Sequence, residues 1–409
     1  MEQKDKLFRG KTLAILSGGG DTPAINSSIE NVRRRALLLG FKVYGIHRGW
    51  KGLLGEGDVV DLTNVPYNGC YGGTALLSSR TNPFPTKKNP EDRVPQIMEN
   101  LKRYHIDTLV TIGGDDTNGA AKRLYEQEGI PVIGFPKTID NDLRTHTMHT
   151  YKGQEIEAVL CPGFPSGALC ISELTRHLRS TNESHQRIMV LEVMGRDAGW
   201  LTGSAIFGGA EIALVPEVEM TAERKERFFE VVKKRYAEKK NLIIAVSEGV
   251  RWWNDETKEL GMVYASSETD EYGHKRFGGV SGVVASEISK RTGIEARAQI
   301  SGYYPRSGAC SAYDRRLTSA LADKAMDLLL RGEYGKMPVM RQMVDAEYLE
   351  EYNTSTIDMG SIGNHPLEAV YYDEKEFTFT DAYVDFLCHV LGEPYCPSFG
   401  SVFTPVKPW

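Results

Sequence analysis

Asp140 and Asp142 stand two residues apart in Pro136-Lys137-Thr138-Ile139-Asp140-Asn141-Asp142, beside a lysine and a threonine hydroxyl. Two carboxylates at that spacing can divide labour, one taking a proton from an attacking hydroxyl and the other positioning a metal or a neighbouring cation. A second segment, Gly113-Gly114-Asp115-Asp116, sets two glycines, which let backbone N–H groups approach a phosphate, next to Asp115, an acid suited to Mg2+ on that phosphate. Ser17-Gly18-Gly19-Gly20-Asp21 is a third polar, glycine-rich turn. Each has an ordinary structural reading when taken singly: an Asx-rich turn, a helix N-cap by Asp115, Asp116 or Thr117, and a tight strand-to-helix connection. The cations are Arg80 in Ser78-Ser79-Arg80-Thr81, Arg196 after Met194-Gly195, and Arg187, Arg297 and Arg306. A lone arginine is more often a solvated or ion-paired group than a ligand. As a set with Lys137 they suit phosphoryl transfer, in which charge neutralisation and alignment outweigh covalent work by the protein.

All three segments follow apolar runs. Thr12–Leu16 precedes the first glycine turn and a helical pattern from about Ala24 to Leu39; Thr108–Ile112 precedes Gly113, with a helix expected over Gly119–Glu128; Pro131–Phe135 precedes Lys137. Phe41–Ile46 reads as a further strand and Val94–Tyr104 as a helix. Strands alternating with helices predict a parallel sheet covered on both faces, and ligands of such sheets gather at the carboxyl ends of the strands. A second series repeats the alternation: strand Arg187–Val193, helix Gly199–Phe207, strand Glu211–Val215, charged helix Ala222–Lys239, strand Leu242–Val246. Thr145–Gly167 carries Pro, Gly and His without a clean period and reads as an irregular inter-domain segment. Trp252–Gly279, polar and punctuated by glycine, reads as a surface excursion such as a hairpin.

At 409 residues the chain has room for two α/β domains, and a net charge of −6 provides no general attraction to nucleic acid or anionic membrane. Phosphate binding must therefore come from local cationic clusters. Cys70, Cys161, Cys170, Cys310, Cys388 and Cys396 show no metal-ligand spacing and read as reduced thiols of a cytoplasmic enzyme, Cys161 and Cys170 being a close pair on a loop. Met1–Gly10 is too charged for a signal peptide, and no apolar stretch is long enough to span a bilayer.

Read in order, the polar segments resemble the phosphofructokinase family from about Thr12 to about Leu330. The matching stretches include Gly18-Gly19-Gly20-Asp21, Gly72-Gly73-Thr74 leading to Ser79-Arg80, Gly113–Thr117, Thr138–Asp142 and Ser184-His185-Gln186-Arg187. Met194-Gly195-Arg196, Ser247-Glu248-Gly249, and Arg297 with Gly302-Tyr303-Tyr304-Pro305-Arg306 complete the series. The resemblance implies an α/β fold of two Rossmann-like three-layer domains with mostly parallel sheets and the active site between them. Residues 1–150 with about 304–360 would form the phosphoryl-donor domain, and about 151–303 with 361–409 the sugar-phosphate domain. It further implies Asp140 as the base that deprotonates the 1-hydroxyl of fructose 6-phosphate, with Asp142 assisting, Asp115 on Mg2+, and Arg80 and Arg196 stabilising the migrating phosphoryl group. Gly19, Gly20, Arg80, Asp116 and Lys137 would meet the donor. Thr138, Ile139, Asp140, Met194, Gly195, Arg196, Glu248, Tyr303 and Arg306 would hold the sugar. Arg187 and Arg297 would reach its 6-phosphate across a subunit boundary, which implies a homodimer or homotetramer.

ATP users of the family have glycine where this chain has Asp116 and Lys137, and the pyrophosphate branch has these Asp and Lys residues. A carboxylate at Asp116 would fill the place of a nucleotide α-phosphate and make it negative, while Lys137 offers a cation to the short, highly charged pyrophosphate. The resemblance therefore implies pyrophosphate-dependent phosphorylation of fructose 6-phosphate. An ATP-dependent 6-phosphofructokinase, a nucleotide kinase resembling NAD kinases, and a non-catalytic regulatory subunit of the same fold are the alternatives. Retention of Asp115, Asp140, Asp142 and Arg196 speaks against the regulatory subunit. Ala24 stands where a glycine commonly follows Pro23 in the family.

Overall fold

The structure, a computed structural model, describes residues 7–55, 58–87, 89–157, 159–269, 275–341 and 353–392. Cys396 and the rest of the tail lie outside these residues. The chain opens with β1 (Thr12–Ser17), α1 (Ile25–Leu39), β2 (Lys42–Ile46), β3 (Val59–Asp61), α2 (Val94–Arg103), β4 (Thr108–Gly113), α3 (Asp115–Glu128) and β5 (Val132–Pro136). Every residue of β1, β4 and β5 is buried, as strands covered on both faces require.

Where an irregular segment is expected, the chain forms a hairpin, β6 (Met148–Tyr151) and β7 (Gln154–Glu157), and then a 22-residue helix, α4 (Phe164–His185). Its two-residue turn, Lys152-Gly153, has φ of 46° and 83°. Two positive φ values match the right-handed twist of paired strands, and Lys-Gly is a weaker written signal for this turn than Asn-Gly. Cys170 is accordingly helical rather than on a loop.

The second series is β8 (Ile188–Val193), α5 (Trp200–Phe207), β9 (Ile212–Leu214), α6 (Ala222–Lys239) and β10 (Leu242–Ser247). The expected surface excursion holds two hairpins, β11 (Arg251–Asn254) with β12 (Glu259–Met262), and β13 (Tyr264–Thr269) with β14 (Lys275–Phe277). Then come α7 (Val280–Thr292), β15 (Ala296–Ile300), α8 (Ala312–Leu330), β16 (Lys336–Arg341) and β17 (Asn353–Asp358), with α9 (Asp381–Leu391) near the end of the described chain.

Two main sheets result. One has seven strands in the order β17-β16-β5-β4-β1-β2-β3, parallel except where β3 and β17 flank it. The other has four parallel strands in the order β15-β8-β10-β9. Helix α4 joins them through its start: Thr138, just past β5, forms a parallel bridge with Gly163. Asp314, in the first turn of α8 and fully buried, accepts bonds from the backbone N–H of Gly163 (2.9 Å) and of Ser166 (2.9 Å) and from Ser166 Oγ (2.5 Å). Among the described residues no helix is long and apolar enough to cross a membrane.

Candidate active site

The carboxyl ends of β1, β4 and β5 bring the three polar segments together. Gly18 N–H bonds Ile112 O (3.0 Å), Gly19 N–H bonds Ser79 O (3.2 Å), and Lys137 N–H bonds Gly113 O (3.1 Å), so the turns are stitched side by side. Gly19 holds φ 80°, in the left-handed region that a side chain would strain. Ala24 needs no such freedom, with φ −87° and ψ −8° in the ordinary helical region. Ser78 Oγ donates to Gly19 O (2.5 Å) and Ser79 Oγ to Arg48 O (2.6 Å), which ties the segment leading to the exposed Arg80 against the first turn.

Helix α3 begins at Asp115, four residues before the expected start, with Gly114 as an extended N-cap. Asp115 and Asp116 therefore occupy its first turn, where unpaired N–H groups favour negative charge, and both are exposed. Partial desolvation raises the Asp115 pKa. Among the described residues no three His, Cys, Asp or Glu side chains converge as a metal cage.

Lys137 is 4 % exposed and donates from Nζ to Gly20 O (2.6 Å), bridging the first and third segments. Burial lowers its pKa to about 8, helped by the charges of Arg306 and Arg80 and opposed by Asp21 and Asp140. Arg306, contributed by the far end of the second series, donates from Nη1 to Asp21 O (3.0 Å). Asp140 is half-buried, with Oδ1 shut from solvent and without a hydrogen-bond partner among the described residues. Burial holds it above the usual carboxylate range against the pull of Arg306, Arg196 and Lys137, and Asp197 adds to the rise. Asp142 is raised by burial and then by the charge of Asp140; Thr138 Oγ1 donates to it (3.1 Å) and accepts from Asp140 N–H (3.0 Å). Ile139 is buried beneath the segment.

From the four-stranded sheet, Met194, Gly195 and Arg196 follow β8, and Glu248 follows β10 with its N–H on Val193 O (2.9 Å). A Cβ on Gly249 would overlap the Arg196 carbonyl, so only glycine lets these two strand ends meet. The Glu248 pKa is raised to about 7, by burial first and Asp140 next. Tyr303 is exposed and starts the short turn that carries Arg306.

Arg187 and Arg297 do not join this cluster within one chain. Arg187 precedes β8 and Arg297 lies opposite Met189 near the start of β15, at the amino ends of strands whose carboxyl ends form the site. A six-residue strand separates the two ends by roughly 20 Å. Arg187 Nε is buried without a partner among the described residues, and Arg297 Nε pairs with Glu295 Oε1 (2.6 Å) on the surface.

Three contributors escape a reading of the motifs. Asn141, fully buried with φ 54°, donates to Val159 O (3.2 Å) and accepts from Cys161 N–H (2.9 Å), turning the chain between the two acids. Asp197 acts on Asp140 through charge. Asp314 looks in sequence like an ordinary helix-start acid behind Ser311, and its bonds to Gly163 and Ser166 are written nowhere locally.

Two titrations bracket the cleft. Asp140 can accept a proton only when ionised, a capacity lost as pH falls through its raised pKa. Lys137 can attract an anion only when charged, a capacity present below about pH 8 and lost as pH rises. The kcat/KM for a polyanionic donor is expected to decline above about pH 8, and Lys137→Arg, which stays charged, should move that limb upward. An alkaline limb that is identical in both proteins would rule out Lys137 as its source.

A family model described as phosphofructokinase matches residues 12–329. A pyrophosphate–fructose 6-phosphate 1-phosphotransferase of Streptomyces coelicolor is 38 % identical over 333 residues, covering 80 % of this chain and 90 % of the relative. An ATP-dependent 6-phosphofructokinase 3 of the same organism is 36 % identical over 338 residues, again covering 80 % and 90 %. Among solved structures, a pyrophosphate-dependent phosphofructokinase of Nitrosospira multiformis superposes with a TM-score of 0.76 at 22 % identity, covering 95 % of this chain and 94 % of that one. The match over residues 12–329 and these identities establish that the chain belongs to the phosphofructokinase family.

Proposed function

We propose that this protein transfers a phosphoryl group reversibly between pyrophosphate and the 1-hydroxyl of fructose 6-phosphate. The observation that carries the reading is Asp140: a buried carboxylate oxygen without a partner among the described residues, held among Lys137, Arg196 and Arg306 at the carboxyl ends of two sheets. A buried unsatisfied acceptor is costly and persists where a ligand supplies the missing donor, here the substrate hydroxyl. Asp140 takes the hydroxyl proton and Asp142, anchored by Thr138, holds the segment and its field. Arg80, Arg196 and Lys137 spread over the charge of the transferring group, and Gly19, Gly20 and the start of α3 offer backbone N–H groups to the remaining phosphate. Thr138, Ile139, Met194, Gly195, Glu248, Tyr303 and Arg306 form the sugar side.

Mg2+ fits this donor set. With no three-ligand cage of protein side chains among the described residues, the ion would rest on Asp115 and take its other oxygens from pyrophosphate and water, as Mg2+ characteristically does. When bound, it neutralises phosphate charge.

In this reading residues 1–150 with 304–360 form the donor domain, supported by a seven-stranded sheet drawn from 12–136 and 336–358, and residues 151–303 with 361–409 form the sugar domain. Arg187 and Arg297, remote from their own cleft, serve that of a neighbouring subunit in a homodimer or homotetramer. The free thiols at Cys70, Cys161, Cys170 and Cys310 support a cytoplasmic location. Both donor classes occur among the relatives, so the donor rests on Asp116 and Lys137. Parallel coupled assays with fructose 6-phosphate should give turnover with pyrophosphate and little with ATP. Equal kcat/KM for the two donors would overturn the assignment.

A further inference from the structure

Beyond Asp142 the chain leaves the cleft and lines a cavity of about 520 Å³ whose walls include Arg144, His146, Met148, Glu157, His365 and Leu367. None of the residues assigned above to donor or sugar lines it. Its acids are already engaged. Glu157 Oε1 accepts from the backbone N–H groups of Thr145 (2.6 Å) and His146 (2.7 Å), and Oε2 accepts from Arg144 (3.1 Å). Glu368 Oε1 accepts from Glu157 N–H (2.7 Å). The His365 ring, 4 % exposed, sits between these two carboxylates, with Nδ1 3.5 Å from Glu157 and Nε2 3.3 Å from Glu368 and neither in hydrogen-bond geometry.

The donors are not engaged to the same degree. Among the described residues Arg144 spends its five-donor fork on one glutamate oxygen and remains 40 % exposed. His146 points Nε2 at Ser361 O (2.7 Å), which can only accept, so that nitrogen carries the proton and Nδ1 is left on an exposed ring. Beside them stand Pro366, Leu367 and Met148, the last 53 % exposed at the rim. Satisfied acids, an under-used guanidinium, a buried imidazole without a hydrogen bond among the described residues and a short apolar wall select one chemistry.

We propose that this cavity is a second ligand site, for a small organic oxyanion whose carboxylate or phosphate head sits on the Arg144 fork and whose non-polar body lies against Met148, Pro366 and Leu367. Occupancy is felt at the catalytic segment, because the two share a backbone ladder. His365 N–H donates to Asp142 O (2.7 Å), Leu143 and Asn364 form an antiparallel bridge, and Arg144 N–H donates to Ile362 O (3.1 Å). A ligand that fixes Arg144 fixes a residue two positions from Asp142, and ordering that segment raises kcat more than it changes KM.

The test is histidine-labelled full-length protein titrated with glycerol 3-phosphate in one arm and succinate in the other, with the His146 and His365 resonances assigned from His146→Gln and His365→Gln. Both resonances should shift saturably with at least one probe, and the better arm identifies phosphate or carboxylate as the head group. Arg144→Gln should abolish the shifts and Arg144→Lys, which keeps the charge but lacks the fork, should weaken them. An unligated His365 resonance at its wild-type position in each variant verifies the local fold. No shift with either probe, or shifts that survive Arg144→Gln, overturns the site. The binding arm uses neither phosphoryl donor, so its failure is separate from failure of the proposed function. The kinetic arm rests on that function: kcat at saturating substrates should rise several-fold with the bound probe, and binding without any change in kcat overturns the coupling.

Discussion

Asp140→Asn lowers kcat by about 10²- to 10⁴-fold, the usual cost of removing a general base, while the KM for fructose 6-phosphate changes little. The amide matches the carboxylate in size and leaves the local backbone geometry in place, since it is the Asp140 backbone N–H, not its side chain, that donates to Thr138 Oγ1. What it lacks is a proton-accepting charge. The same substitution removes a buried like charge from the surroundings of Asp142 and Glu248, both of which Asp140 pushes upward. Asp142 should therefore titrate lower in the variant, moving the acid limb of its residual activity down in pH. A variant with nearly wild-type kcat would show that Asp140 is not the base. A large kcat loss with an unmoved acid limb would show that the limb does not come from the pair.

Lys137→Met lowers kcat/KM for pyrophosphate by on the order of 10²-fold, corresponding to a lost charge-assisted contact of about 2 to 3 kcal/mol. Methionine is preferable to glycine here because the side chain is buried and a void would confound the result. Asp116→Gly acts differently: it should raise kcat/KM for ATP while leaving pyrophosphate activity in place, because the carboxylate is proposed to exclude a nucleotide by bulk and charge. Its exposed position in the first turn of α3 makes the substitution tolerable, at about 1 kcal/mol for glycine in a helix. Asp116→Asn separates the two contributions, since it removes charge and keeps bulk. Steady-state kinetics with both donors decide the matter. If Lys137→Met uses pyrophosphate as well as wild type does, the lysine has no part in donor binding; if Asp116→Gly gains no ATP activity, the exclusion mechanism falls.

The frame of the fold is readable because its strands are short, mostly apolar runs followed at once by glycine or an acid. Thr12–Leu16, Thr108–Ile112 and Leu242–Val246 each differ from the observed strand by one residue at the carboxyl end. The start of α3 lies ahead of its periodic pattern because Asp115-Asp116-Thr117-Asn118 is polar enough to read as loop, whereas the macrodipole favours acids in a first turn. The β6–β7 hairpin leaves little trace in the sequence because each strand has only four residues and the turn uses Lys-Gly. Site chemistry was legible where it is local, as in Thr138–Asp142. It was not legible where a side chain acts across the fold: Asp314 on Gly163, Arg306 on Asp21, and His365 on Asp142 are pairings that topology creates.

The return of the chain to its first sheet sets a timetable for biosynthesis. Ile133 of β5 pairs with Lys336 of β16, and helix α1 waits for α8, to which it is joined by Ser27 to Thr318 (2.8 Å) and Arg35 to Asp323. A ribosome adding roughly 5–20 residues per second needs on the order of ten seconds or more to travel between those positions. Throughout that interval β5 is an open, fully apolar edge, and an exposed edge of this kind invites pairing with other chains. The four-stranded sheet carries no such delay, since β8, β9, β10 and β15 emerge in one stretch. Nascent chains that stall before Lys336 thus hold a complete four-stranded sheet beside an incomplete seven-stranded one, and the open edge of the latter is where chaperone binding and aggregation should concentrate.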